Sequence, residues 1–505
     1  MLRQPIRTVA FALLLASAAP VWAQSDPAPA EGSPIDDLAP ADGASAEVAP
    51  PPTGDPVLDR LNALDAKVRR LEARNRELEE KLGVAEGRIA GTEVRAAKGV
   101  QLAGPVPNHA DVNGGITFKV RGVINADQVA FFERAGGYDY DNGTGFRRAR
   151  LGFDGTAFKD FNWRLEVDFA GNAVQVLDGY LQYAGLKPWL FTIGQFKAPY
   201  GLEANNSDNY NIFVERGMFT NAFGNVGAER RIGVSAQYLR DNFTAAAGLF
   251  GENESVFRAP NAAVVAGTAA NPAIAAVTDI NTPDEGWGVN GRATWEPVND
   301  TGKILHLGAA AYYRTALRSA TGPDVVRISE RPNVRVDGGN IADSGIIAGV
   351  DSATYVGAEA AGIWGPVSLI GEYGRLHLDR TGTLSDPTFD GFYATASWFL
   401  TGETRPLKSG SFDRIKPLSN FDHSGGWGAL ELALRYDKLN LDETPVAARV
   451  QTQAQTLTTA LNWYLNPYFK LQLNWVRFNG DNTPLDPVGT KTKGDAVVTR
   501  VHLDW

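Results

Sequence analysis

The chain has 505 residues, of which 44% are hydrophobic and 21% are charged, and its formal net charge at pH 7 is -10. The acidic balance argues against a nucleic-acid-binding surface, and the absence of cysteine excludes disulfides, a thiolate nucleophile and cysteine-ligated metals. Beyond the first 25 residues there is no apolar run of about 18 residues, the length that a transmembrane helix needs.

The N-terminus predicts an export signal over residues 1–23. Arg3 and Arg7 give a positively charged N-terminal region, and an apolar stretch follows. Small residues precede the cleavage that is expected after Ala23. Residues 24–56 contain seven acids and neither lysine nor arginine, among many Pro, Ala and Gly residues. This composition is typical of a disordered linker. We therefore expect a chain that leaves the cytoplasm.

Residues 57–95 are predicted to form an α-helical coiled coil. Across 57–89, hydrophobic residues recur at alternating spacings of four and three, and Asn75 takes the one polar core position. A buried asparagine of this kind fixes the register and the number of helices in a coiled coil. The alternative is a single amphipathic helix, but a lone helix needs a partner to cover its apolar stripe.

Residues 112–505 are predicted to form a sixteen-stranded antiparallel transmembrane β-barrel, because the hydrophobic period in this segment is two. In 163–169, for example, Trp, Leu, Val and Phe alternate with Arg, Glu and Asp. Nearly all candidate strands have about nine or more residues, enough for a tilted strand to cross a bilayer, whereas strands of soluble proteins have about five or six. The predicted strands are 116–132, 145–157, 161–170, 174–186, 188–196, 230–240, 242–251, 286–298, 303–315, 353–364, 366–378, 389–401, 426–440, 453–465, 468–479 and 496–505.

The connections between the predicted strands alternate between short and long. Tight turns such as 365–366 and 466–467 alternate with long connections such as 197–229 and 316–352. Short periplasmic turns and long extracellular loops are the pattern of bacterial outer-membrane barrels. One connection, 402–425, breaks this pattern, because it is long but falls on the side of the short turns.

Aromatic residues lie near many of the predicted strand ends, as expected for the interfacial belts of a membrane protein. Together with the export signal and the even strand number, they predict an all-β protein of the Gram-negative outer membrane. In this arrangement the barrel contacts outer-membrane lipid, and the coiled coil lies in the periplasm.

Eight short stretches, in order along the chain, resemble the phosphate-selective porin O and P family. They include 147–155 (RRARLGFDG), 193–201 (IGQFKAPYG), 230–234 (RRIGV) and 397–403 (SWFLTGE). The resemblance covers roughly residues 112–505. It implies a sixteen-stranded porin that forms a homotrimer, with a third outer loop that folds into the lumen. It also implies a periplasmic N-terminal coiled coil in some members.

Basic residues on the polar strand faces are candidates for lining the pore. Rings of Arg or Lys favour anions, whereas a near balance of charge favours ion pairs within the wall, and the count here is nearly balanced. The resemblance implies that cations in or near the third loop form an anion-binding constriction, although four acids share this segment. The pore-lining and anion-binding candidates are Lys119, Arg121, Arg148, Arg150, Arg164, Lys197, Arg216, Arg230, Arg231, Arg292, Arg314 and Arg435.

The predicted function is passive diffusion of small ions and solutes through a water-filled channel, with anions such as phosphate or polyphosphate as the expected solutes. Motifs of serine hydrolases, P-loop enzymes and zinc proteases do not occur, and the five histidines are scattered, so we expect no catalytic residue, cofactor or metal. Two alternatives stay open: an outer-membrane barrel enzyme such as a hydrolase, and a structural tether that joins the barrel to the cell wall.

Overall fold

A computed structural model describes residues 55, 64–65, 67–69, 71–76, 101–102, 107–110, 115–135, 139–172, 174–253, 286–315, 325–422, 425–445, 452–481 and 492–505. The chain divides into two units, residues 1–87 and residues 88–505. The predicted export signal lies outside the described residues, as does the predicted linker except for Asp55.

In the first unit, the described residues between 64 and 76 are helical. Arg69 donates hydrogen bonds from Nε and Nη2 to Oδ2 of Asp65 at 3.2 and 2.9 Å, a pair at the i, i+4 spacing that supports a helix. Three residues of the predicted coiled-coil seam are 47–62% exposed in the single chain. They are Leu64, Val68 and Leu71.

The second unit contains a closed antiparallel barrel of sixteen strands, which confirms the predicted fold. The strands are β1 (Ile116–Ala135), β2 (Gly143–Ala157), β3 (Phe161–Asp168), β4 (Gln175–Tyr183), β5 (Trp189–Lys197), β6 (Arg230–Arg240), β7 (Phe243–Phe250), β8 (Gly288–Asp300), β9 (Lys303–Thr315), β10 (Val350–Trp364), β11 (Val367–Arg380), β12 (Thr388–Phe399), β13 (Ala429–Asn440), β14 (Gln453–Tyr464), β15 (Phe469–Asp481) and β16 (Thr492–Asp504).

Each strand pairs with the next along the chain, and β16 pairs with β1 to close the sheet. Closure removes the unpaired strand edges that could not exist in hydrocarbon. Two short strands before β1, Gln101–Leu102 and Pro107–Ala110, pair with each other, and the second also pairs with β1. Within the described part of the chain, no helix has the length and apolar character needed to cross a bilayer.

The faces of the strands have the polarity of a membrane barrel. On β13, Leu432 and Leu434 are exposed on the outside, whereas Glu431 and Arg435 are completely buried on the inside. In a soluble β-sandwich the apolar face would be covered and the charged face would meet water. The alternating pattern of the sequence therefore corresponds here to lipid outside and a polar lumen inside.

The long connection between β12 and β13 folds into the barrel. It contains a small hairpin, Leu407–Lys408 paired with Ser411–Phe412, which we call the periplasmic hairpin because it follows the side of the short turns. Arg292 on β8 donates from Nη2 to the carbonyl oxygen of Gly410 at 2.6 Å. Gly410 has a φ of +72°, and a Cβ there would lie 2.6 Å from Oγ1 of Thr294 on the wall, so this close approach requires glycine.

A second hairpin enters the lumen from the opposite end. This outer hairpin lies between β9 and β10. It consists of Val325–Glu330 paired with Ala342–Ala348. At its tip, the amide of Asn333 donates to Oδ2 of Asp437 at 3.2 Å and to Oγ1 of Thr456 at 2.7 Å, on β13 and β14. Chain segments therefore enter the lumen from both ends of the barrel.

Candidate functional site

The inner loop, residues 198–229, joins β5 to β6 and lies within the barrel. It contains two α-helices, α1 (Leu202–Asn205) and α2 (Met218–Gly227), and a short 3-10 helix at Asp208–Tyr210. All of residues 211–224 are buried. A buried loop must find partners for its backbone N–H and C=O groups, and the barrel wall supplies many of them.

Two carboxylates on the barrel wall accept hydrogen bonds from the first backbone N–H groups of α1 and α2. Glu372 on β11 accepts hydrogen bonds from the backbone nitrogens of Leu202 and Glu203 at 2.9 and 2.7 Å. Asp437 on β13 accepts one from the backbone nitrogen of Met218 at 2.7 Å. The N-terminus of a helix carries unpaired N–H groups and partial positive charge, so these carboxylates fix both helices to the wall.

Aromatic packing holds α2 against strands β9 to β12. The ring of Phe223 lies 6.3 Å from that of Tyr355, and the ring of Phe219 lies 6.1 Å from that of Tyr393. The hydroxyl of Tyr312 donates to the carbonyl oxygen of Phe223 at 2.7 Å. One side of the inner loop is therefore packed against apolar and aromatic residues.

The other side of the inner loop faces arginines on β2, two of which are adjacent in sequence. The pairing of β1 with β2 passes from Asn125↔Arg148 to Ala126↔Phe146, so Arg147 is an extra residue in a β-bulge. A bulge alters the alternation of side chains between the two faces of a sheet. As a result, both Arg147 and Arg148 reach the inner loop.

The adjacent arginines bind different carboxylates of the inner loop. Arg147 donates from Nε and Nη2 to the two carboxylate oxygens of Glu215 at 2.6 and 3.1 Å, a bidentate pair. Arg148 donates from Nε to Oδ2 of Asp208 at 3.2 Å. Burial alone would raise the pKa of Glu215, but Arg147 and its neighbouring cations hold that pKa far below the usual range.

Four cations converge on Asp208, whose side chain is only 4% exposed. Arg148 and Arg150 contact Oδ2 at 3.2 and 2.8 Å. Arg216 contacts Oδ1 closely, and Nζ of Lys197 lies 3.9 Å from the same oxygen. Burial raises the pKa of Asp208, but the guanidinium groups of Arg148 and Arg216 outweigh it and hold the pKa well below its usual range.

The structure brings four of the predicted site residues together at Asp208 and distributes the others. The remaining pairs, with their shortest N to O distances, are Arg121–Glu166 (3.0 Å), Arg164–Asp178 (3.9 Å), Arg230–Asp178 (2.7 Å), Arg231–Glu252 (2.5 Å), Arg292–Glu359 (2.5 Å), Arg314–Glu252 (2.7 Å) and Arg435–Glu203 (3.2 Å).

Eleven of the twelve predicted cations thus have a carboxylate oxygen within 4.0 Å. The twelfth, Lys119, is exposed at the start of β1, and none of the ion pairs within the described residues includes it. The lumen of the described chain is therefore lined mainly by paired charges and contains no ring of free cations. Paired charges create local fields but leave a small net charge for a passing solute.

Other cations also contact the lumen, although the sequence pattern did not identify them. Strict alternation along β2 places Arg147 on the lipid side, whereas the bulge turns it toward the inner loop. Arg335 lies near the tip of the outer hairpin, with its Nε 3.5 Å from Oε2 of Glu215. Arg405 and Arg414 belong to the connection between β12 and β13. Three arginines within four positions, 147–150, were the one sequence signal of a bulge.

Within the described residues, no group of three or more His, Asp or Glu side chains is arranged to hold a metal ion. The cavity between the inner loop and the periplasmic hairpin has a volume of about 20 Å³. A cavity of that size accommodates a water molecule but is too small for a cofactor.

Comparisons with known proteins agree with this architecture. The profile of the family described as "Phosphate-selective porin O and P" matches residues 118–505. A protein of Caulobacter vibrioides described as uncharacterized is 31% identical over 408 residues, which are 78% of this chain and 75% of that protein. Porin O of Pseudomonas aeruginosa is 27% identical over 421 residues, 76% of this chain and 88% of that protein.

An anion-selective porin from Comamonas acidovorans matches with a TM-score of 0.48 at 12% sequence identity, covering 77% of this chain and 100% of that one.

Proposed function

The chain belongs to the phosphate-selective porin O and P family, and on that basis we propose that it forms a water-filled outer-membrane channel for passive diffusion of small anionic solutes such as phosphate or polyphosphate. The observation that carries the proposal is the inner loop, which lies in the lumen of a closed barrel and is held there beside the arginines of β2. A solute that crosses the barrel passes this loop.

The partly exposed cations are the groups that a solute would meet. Side-chain exposure is 29% for Arg147, 22% for Arg335 and 20% for Lys197. Guanidinium groups replace lost hydration of an anion with charge and with paired donors. Each of these cations already has a carboxylate nearby, which attracts the same donors and repels the anion. We therefore propose a weak preference for anions, with phosphate blocking chloride current only at high concentration.

Conductance in planar lipid bilayers tests the function. A diffusion channel gives stepwise ion currents, and a reversal potential measured in a chloride gradient reports whether anions or cations pass more easily. The same measurement with added phosphate reports its block. Absence of channel currents from correctly folded protein would contradict the proposal and leave the barrel enzyme and the structural tether as the remaining functions.

We further propose that the protein is a trimer and that residues 57–95 form a parallel coiled coil in the periplasm. The exposed seam residues support this, because Leu64, Val68 and Leu71 would be covered in a coiled coil. The mass of the detergent-extracted protein tests the trimer, and a stable monomer would contradict it. Deletion of 57–89 then tests whether the coil contributes to assembly.

A further inference from the structure

We propose that Asp208 is a tethered anion, which occupies the cation cluster of the inner loop and so weakens the binding of free oxyanions such as inorganic phosphate. The inference rests on the proposed function, since it identifies the residue that limits anion binding in the channel. It makes Asp208 a determinant of specificity that acts by competition.

The geometry around Asp208 is that of a bound oxyanion. The cations come from three parts of the chain: β2, the end of β5 and the inner loop itself. Arg148 and Arg150 contact one carboxylate oxygen, and Arg216 and Lys197 lie near the other. Several Arg and Lys donors that converge on one point are the arrangement that proteins use to recognise carboxylate and phosphate groups.

Three of the four surrounding cations, Lys197, Arg150 and Arg216, have a second partner that does not depend on Asp208. Lys197 donates to the carbonyl oxygens of Ala204 and Asn206 at 2.9 and 2.8 Å. Arg150 donates from Nε to Oδ2 of Asp168 at 2.8 Å. These contacts keep both cations in place when the charge of Asp208 is removed.

Arg216 also keeps a second partner, because its Nη1 lies 3.5 Å from Oε1 of Glu229. Loss of the Asp208 charge therefore leaves a group of converging cations, of which Arg148 and Arg216 are buried, without its central anion. An uncompensated buried charge is unfavourable and is relieved by a counterion. A free oxyanion that reaches the inner loop is such a counterion.

The Asp208→Asn variant tests the inference, since it keeps the shape of the side chain and removes its charge. We expect the phosphate concentration that halves the chloride current to fall by about tenfold, the effect of one additional charge-assisted contact. The control is Glu229→Gln, which removes one negative charge from the same loop but contacts a single cation at 3.5 Å. The control should change the block only slightly. The proposal would be overturned if both variants changed the phosphate block equally, or if neither variant changed it.

A charge-compensated variant separates competition from a general change in charge. Asp208→Asn combined with Arg216→Gln removes the tethered anion together with one of its cations, so phosphate block should return close to that of the unmodified protein. Tight block in this double variant would mean that the lost acid, and not the freed cluster, determines phosphate binding.

Calorimetric titration of the detergent-solubilised protein with inorganic phosphate distinguishes this inference from the channel function. Phosphate binding gained by Asp208→Asn supports the inference even if the unmodified protein does not conduct. If the unmodified protein conducts but Asp208→Asn gains no phosphate binding, the inference is rejected and the channel function stands.

Refolding provides a test if Asp208→Asn does not fold in chloride. Recovery of the folded barrel in phosphate at equal ionic strength would support a site that phosphate can fill. Failure to fold in both salts would contradict the inference.

Discussion

Arg405 donates a hydrogen bond to Glu431, and both side chains are completely buried although Arg405 belongs to the connection between β12 and β13. The guanidinium of Arg405 also lies 5.5 Å from the ring centroids of Phe399 and Phe412. A charge buried in this way is stable only while its partner carboxylate is present. This pair is therefore a principal anchor of the periplasmic hairpin within the barrel.

Replacement of Arg405 by glutamine is expected to release the periplasmic hairpin. Glu431 becomes an unpaired buried charge, and breaking a buried ion pair in this way costs about 3–5 kcal/mol. We expect a larger and noisier single-channel conductance in planar bilayers. Lys408→Gln, at an exposed position of the same hairpin, is the control and should conduct like the unmodified protein. An unchanged conductance in Arg405→Gln would show that the hairpin stays in place without the ion pair.

Charge reversal of Arg231 is expected to shift the channel toward cations. Arg231 lies two residues after the inner loop and shares Glu252 with Arg314, at 2.5 and 2.7 Å, so Arg231→Glu leaves two carboxylates beside one arginine. The shift in reversal potential should be larger at low salt, because the screening length grows from about 10 Å at 0.1 M to about 30 Å at 0.01 M. Arg240→Glu, at an exposed strand end, is the control. A reversal potential that does not move at low ionic strength would place the selectivity element elsewhere.

The seam of the proposed coiled coil can be tested at Asn75. Replacement by leucine removes the polar core residue, so we expect a more stable coil with a less uniform number of chains. Arg74→Gln, which flanks the seam, is the control. The mass distribution of the full-length protein in detergent is the measurement. If Asn75→Leu and Arg74→Gln give the same distribution, Asn75 is not a core residue.

The anchors of the inner loop are expected to persist in moderately acidic solution. The pKa values of Asp208 and Glu215 are depressed, because nearby arginines outweigh burial, so both carboxylates bind protons more weakly in the folded protein than in the unfolded chain. Their contribution to the free energy of unfolding is therefore complete above the unfolded pKa values of about 4 and is lost as the pH falls through the folded values.

Thermal unfolding between pH 7 and pH 3 measures this effect. Asp208→Asn should reduce the loss of stability below about pH 4, since the variant lacks one of the groups that must be protonated. Parallel profiles for the variant and the unmodified protein in that range would contradict the assignment.

The sixteen strands could be predicted from the sequence because their signal is local. Alternation along each strand and the contrast between short and long connections depend only on neighbouring residues, and β6 (Arg230–Arg240) begins and ends where predicted. The near balance of lumenal charge likewise favoured ion pairs. The bulge at Arg147 was not predicted, because a single inserted residue reverses the face of a side chain without changing the overall period.

The positions of the lumenal segments could not be predicted because their contacts are distant in sequence. The path of residues 402–422 depends on Glu431 of β13, on Arg292 of β8 and on Asn206 of the inner loop, which are far apart in the sequence. The outer hairpin likewise depends on partners on β13 and β14. No periodic pattern encodes such contacts.

The wall contacts of the inner loop impose an order on assembly. Glu372 and Asp437, which accept hydrogen bonds from α1 and α2, follow those helices by 170 and 219 residues in the chain. Contacts so distant in sequence form only after much of the sheet has paired, since the intervening chain must first be brought together. Until then the arginines of β2 and the carboxylates of the loop remain hydrated. We therefore expect the barrel to close first around a hydrated lumen in which the inner loop is not yet packed against the wall. Water then leaves the region around the inner loop as the final step of folding.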